Sequence, residues 1–300
     1  MKKVLLSILL LLPMTLSAQA FYDYTPNARV AAMGGAAIAT RADAFAVFGN
    51  AASTLMEYKA VQASFSYADF AGEYRKHRML SGGAYARFAQ RHALVVGAQI
   101  NIEPKNSSGY RPAAQLFDLA YGYKLSDRLS LAATARYRRN DTVLTDSANV
   151  GFGADLSLFS RLPLGFLEGS SVSVGGKLSF DTPTSVAYGR YSFAPSVGAS
   201  LALPFSDSHL LDIAADIKYG FAPADGLFVA RLGVEYSLMR LFYFRAGGNL
   251  ARISNTNTVS YGTIGCGVRF FHLQFDIAYI MGKKDTPLDN AVQVNFGLDF

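Results

Sequence analysis

Val292-Gln293-Val294-Asn295-Phe296-Gly297-Leu298-Asp299-Phe300 ends the chain on a strict alternation. Val292, Val294, Phe296, Leu298 and Phe300 are apolar, and the residues between them are small or polar. Successive side chains of a strand point to opposite faces, so a period of two predicts a strand with one apolar and one polar face. The same beat recurs back to about Tyr58 in segments of roughly ten residues, the length at which a tilted strand crosses a bilayer. About fourteen such segments follow one another, an even number as a closed bacterial barrel requires. They include Val61–Tyr67, Leu80–Phe88, Phe117–Leu125, Leu211–Tyr219, Phe228–Tyr236 and Leu273–Met281.

The charges decide which face is which. Every segment can be phased so that its apolar parity carries no Asp, Glu, Lys or Arg. Hydrocarbon enforces this, since a lipid-facing charge near midplane costs about 2–4 kcal/mol. The other parity holds Arg136, Arg138, Lys177, Lys218, Arg231, Arg245 and Arg269 together with Asp118, Asp155, Asp212, Asp216, Glu235 and Asp276. These are predicted to face a lumen and to neutralise one another there. A soluble sandwich or propeller would instead bury the apolar parity. Many apolar rows end in Tyr or Phe, which suits the aromatic girdles of a membrane barrel better.

The connections alternate in length. Asp69–Arg75, Glu103–Ala113, Asn140–Ala148, Asp181–Arg190, Ala222–Gly226, Arg252–Val259 and Gly282–Asn290 are long. Gln90-Arg91, Ser126-Asp127, Pro204–Ser208, Met239-Arg240 and Phe270-Phe271 are short, with Ser160–Gly169 an extended member of the short set. Long loops outside the cell and short periplasmic turns are the expected asymmetry, with both termini in the periplasm.

The start of the chain reads differently. Lys2 and Lys3 precede the apolar run Val4–Leu12, and Ala18-Gln19-Ala20 fits a signal-peptide cleavage site. Residues 1–20 are therefore an expected export leader. Residues 21–57 lack the strand beat and are rich in small residues, so they are expected to fill the barrel as a plug. Arg29, Met33, Gly34, Gly35, Asp43 and Asn50 are its candidate functional residues, and residues 58–300 form the barrel.

Composition removes other classes. The 28 Lys and Arg against 22 Asp and Glu are scattered through strands and loops, so no basic face offers itself to nucleic acid. Cys266, the single cysteine, falls on the lipid parity, where a thiol is a small hydrophobe. His77, His92, His209 and His272 have no metal-ligand spacing and lie near strand ends, mostly at short turns. No catalytic or metal motif stands out, and the reading calls for no cofactor and no enzyme.

The plug segment resembles the start of the PorV/PorQ family of Bacteroidetes outer-membrane barrels, themselves similar to the FadL long-chain fatty-acid transporters. Ala28-Arg29, Met33-Gly34 and Asp43-Ala44 match that family's pattern, and Gly49-Asn50-Ala51-Ala52 keeps the Asn and final Ala of its last motif. Tyr123–Ser130 looks like the family's central hairpin. The resemblance implies a barrel of about fourteen strands in the outer membrane, in contact with lipid and lipopolysaccharide. PorV-like members imply a non-enzymatic partner of type IX secretion, binding secretion-system proteins or secreted cargo. FadL-like members imply passive transport of a hydrophobic small molecule. The sequence motifs lean towards the first.

Overall fold

A computed structural model describes residues 25–70, 77–102, 113–141, 148–165, 167–181, 193–221, 227–253, 256–284 and 288–300. The expected leader and most of the long connections lie outside these residues. Fourteen strands form one closed antiparallel barrel in which each pairs with its sequence neighbours. They are β1 (Val61–Phe70), β2 (His77–Phe88), β3 (His92–Ile102), β4 (Ala113–Ser126) and β5 (Leu129–Asp141). Then come β6 (Ala148–Pro163), β7 (Ser171–Asp181), β8 (Phe193–Ser206), β9 (His209–Gly220) and β10 (Leu227–Leu238). The last four are β11 (Phe242–Ile253), β12 (Thr256–Phe270), β13 (Leu273–Met281) and β14 (Ala291–Asp299). The seam between β1 and β14 sets Phe65 opposite Phe296 and Gln62 opposite Asp299. Closure removes the free edges that an open sheet would expose to lipid.

The apolar parity points outward throughout. Phe296 is 52% exposed on the outer face, whereas Glu235 and Asp276 are fully buried inside. A soluble sandwich is thereby ruled out, because that arrangement would put the same apolar rows in a core. Cys266 is exposed on this outer face, opposite Phe244 and Ile277. Turns at the short end are tight. Ala89-Gln90 and Met239-Arg240 each take positive φ at both positions, the turn type whose twist matches the flanking strands.

Two connections are shorter than the sequence implies. Ladder pairing continues to Ile253 opposite Thr256, so most of Arg252–Val259 is strand. Strand β6 continues to Pro163, opposite Ser171, so the Ser160–Gly169 turn begins only at Leu164. Beyond the hydrocarbon band a hairpin needs backbone pairing but no apolar parity, and the alternation used to find the strands stops there.

The C-terminus is fixed to the start of β1. The Phe300 carbonyl accepts from the amides of Ala60 and Val61 at 2.9 and 3.1 Å, and its ring stacks on His272 with centroids 4.9 Å apart. Deleting Phe300 should therefore lower the amount of folded, heat-modifiable barrel recovered from outer membranes. Undiminished recovery would show that this tether does not assist closure.

Candidate functional site

Residues 25–57 run through the inside of the barrel and touch most of its strands. Asn27 caps the short helix α1 (Ala28–Ala32) by accepting from the Arg29 amide. Gly34 and Gly35 follow with φ of +67° and +89°, the left-handed region that favours glycine. The chain turns there against the wall. The Gly34 amide donates to the Thr263 hydroxyl at 3.0 Å, and that hydroxyl donates to the Ala32 carbonyl at 2.9 Å. Side chains at Gly233 and Gly247 would overlap the backbone of Met33 and Gly34, so the wall is glycine where the segment presses closest. Further on, Asp216 accepts from the Ala37 and Ile38 amides at 2.5 and 2.9 Å. The Asn50 amide group donates to the Ile38 and Leu158 carbonyls, both at 2.8 Å, and its side-chain oxygen caps a 3-10 helix, Ala51–Met56.

Expected plug residues therefore meet the wall as a group. Arg29, Gly34 and Asn50 bond to it directly, Met33 and Gly35 pack on it, and Asp43 is held inside the segment by Asn27 and Arg29. Arg29 is buried. Burial alone would lower its pKa, but Glu235 and Asp43 outweigh that and hold the guanidinium above its ordinary value.

The lumen charges separate into clusters. In one, Glu235 on β10 receives Arg29 at 2.9 Å, Arg41 at 2.7 Å and Arg245 at 2.6 Å. Arg245 also pairs with Asp276 at 2.8 Å. The other lies along the wall: Arg136 bridges Asp118 and Asp155 at 2.8 Å each, Arg138 meets Asp181 at 2.8 Å, and Lys177 sits 3.7 Å from Asp155. Lys177 also donates to the Phe48 carbonyl, tying this ladder to the inner segment. Asp212 faces Glu235 across the β9–β10 ladder, Arg231 lies against Gly35, and Arg269 lies over the Tyr243 ring.

Arg41, Asp181, Glu57 and Arg161 were not among the sequence candidates, yet all form ion pairs here. Asp181 shares the parity of Lys177, and Arg161 that of Asp155, so extending each strand by one or two residues finds both. The lumen is also less polar than the alternation implied. Tyr85, Val95 and Phe159 point inward and pack on Val47, Ala51 and Leu55. Phe70, Met79 and Ile280 cluster with Ala28, Ala31 and Ala32.

The inner segment divides the lumen. Towards the long connections lies a cavity of about 230 Å³, lined among others by Val30, Phe45 and Phe48, by Arg136, Lys177 and Lys218, and by Asp43 and Asp181. Towards the short turns lies a polar vestibule of about 1030 Å³ that includes Arg41, Arg161, Ser237 and Asp212. Arg41 lines both.

Solved structures of similar fold include described channels and transporters. The CymD monoaromatic hydrocarbon channel aligns with a TM-score of 0.61 at 14% identity, over 94% of this chain and 99% of that one. The Pseudomonas putida toluene transporter TodX gives 0.58 at 12%, over 94% and 99%. A Pseudomonas aeruginosa FadL homologue gives 0.57 at 12%, again over 94% and 99%. No family model and no curated protein sequence matches the chain. At these identities the likeness concerns the fold alone. The chain is a closed fourteen-stranded antiparallel barrel, similar in fold to these channels and to the FadL homologue.

Proposed function

We propose that this protein is a passive outer-membrane channel for a small hydrophobic molecule, with residues 21–57 as its hatch. The observation that carries this reading is the divided lumen. A segment anchored to the wall by ion pairs and hydrogen bonds separates a small outer cavity from a wide polar vestibule. An outer cavity of about 230 Å³ is below the ~300–1,000 Å³ of sites for drug-sized ligands, so it suits a compact molecule. Its lining mixes the apolar Val30, Phe45 and Phe48 with cationic Arg136, Lys177 and Lys218 and with Asp43 and Asp181, a setting in which an arene gains cation–π attraction and a saturated hydrocarbon does not. The channels of similar fold are described as carrying monoaromatic hydrocarbons or toluene, which agrees with this inference.

Uptake of radiolabelled toluene should fall in a deletion strain and return on complementation, while export of secreted proteins is unchanged. Stranding of secreted proteins in the periplasm, with normal toluene uptake, would instead favour the PorV-like reading. That second reading rests on Ala28-Arg29 and Met33-Gly34. Both pairs seat the inner segment on the wall, a task any hatched barrel needs, so they do not favour a secretion role. Removing residues 21–50 should open a leak to small hydrophilic solutes.

The proposed orientation has the long connections outside the cell. An epitope inserted at Asn106, which lies outside the described residues, should be labelled on intact cells. One at Ser126, at the short-turn end of β4, should not. Labelling of Ser126 alone would invert the barrel.

A further inference from the structure

Tyr243, on the lumenal face of β11, carries an unusual concentration of positive charge. The guanidinium carbons of Arg269, Arg245 and Arg41 lie 5.0, 5.3 and 5.8 Å from the centre of its ring. Arg41 and Arg245 are compensated by Glu235, and Arg245 also by Asp276. Arg269 is not: among the described residues its guanidinium has no ion pair or hydrogen bond, and its contact is the Tyr243 ring. Around this ring buried donors lack acceptors. They are Arg269 Nε, Arg245 Nη2, Arg41 Nε and the Ser237 hydroxyl, which sits opposite Tyr243 in the β10–β11 ladder. Buried donors are ordinarily satisfied, so four unsatisfied ones about a single ring mark a place built for an acceptor that the chain does not itself supply.

We propose that this cluster binds a small oxyanion, a phosphate or a carboxylate, entering from the vestibule. Arg41 and Ser237 line that vestibule, and the Arg41 side chain is 24% exposed, so the cluster borders the vestibule at these two residues. Charge-assisted hydrogen bonds from guanidinium forks are the usual means of holding such groups. Asp212 and Glu235 lie on the β9–β10 side and would repel the anion. It therefore sits on the β11–β12 side, against Arg269. The site does not depend on what the channel carries.

Titration calorimetry of the detergent-folded full-length barrel tests this, with inorganic phosphate in one arm and acetate in the other, at constant ionic strength. Saturable binding of at least one is expected, and the arms show which geometry the site prefers. R269Q should weaken it at least tenfold. R91Q, at an exposed turn, should leave it unchanged. If R269Q does not fold, R269K keeps the charge but removes the Nε donor, and it should show the same loss. No saturable binding to the wild-type barrel, or equal losses in the Arg269 and Arg91 variants, would overturn the site and reduce the cluster to general electrostatics.

Discussion

Glu235→Gln should free the inner segment from one side of the barrel while the wall stays closed. The Glu235 carboxylate holds Arg29 and Arg41 from that segment and Arg245 from the wall. A glutamine keeps one acceptor oxygen and loses the charge, leaving buried guanidinium groups undercompensated. Removing one partner of a buried ion pair costs about 3–5 kcal/mol, mostly as the penalty of the charge left behind. Arg245 retains Asp276 and Arg29 retains Asp43, so the deficit is greatest at Arg41, which the vestibule already reaches. The ladder bonds of β9, β10 and β11 are untouched. The expected result is a barrel that still shows heat-modifiable migration but conducts small ions in planar bilayers, where the parent is closed. Asp118→Asn is the control. Asp118 pairs with Arg136 entirely within the wall, so its loss should lower stability without opening a leak. Equal conductance in the two variants would mean that Glu235 does not latch the segment.

Much of the wall was legible because a bilayer imposes a rule that sequence must obey locally. Phe65, Phe152 and Leu232 had to be apolar wherever their strands went, and their polar neighbours had to face inward. Even strand order follows, since each hairpin joins consecutive strands. The inner segment was legible only by contrast, as a stretch without the beat. Its contacts could not be read, because they join residues remote in sequence: Arg29 with Glu235, Gly34 with Thr263, Asn50 with Leu158. No local spacing encodes such a pairing. Treating the inward parity as uniformly polar hid Tyr85 and Phe159, which are apolar because the segment, and not water, covers them. The wall glycines at Gly233 and Gly247 carry the same information in reverse. In a strand they weaken packing, so their recurrence on the inward parity marks where another backbone approaches.

Phe296→Arg should be among the most damaging single changes in the barrel, and Ser173→Arg a much milder insertion of the same charge. Phe296 stands on the outer face, 52% exposed, opposite Phe65 and Phe275. An arginine there must enter hydrocarbon, at about 2–4 kcal/mol near midplane. Ser173 lines the vestibule opposite Arg161, so a second cation there meets some repulsion, but the vestibule is polar and screens it where hydrocarbon would not. By parity alone the neighbouring Asn295 would be the control, since it faces opposite to Phe296. Its packing disqualifies it: its side chain is buried and donates towards Asn27 of the inner segment at 3.5 Å. An arginine at Asn295 would displace that segment and confound the comparison. The measurement is the urea midpoint of the folded, heat-modifiable form in lipid vesicles. Phe296→Arg should shift it far more than Ser173→Arg. Equal shifts would show that the outer face does not contact hydrocarbon at Phe296, and the membrane assignment of that row would fall.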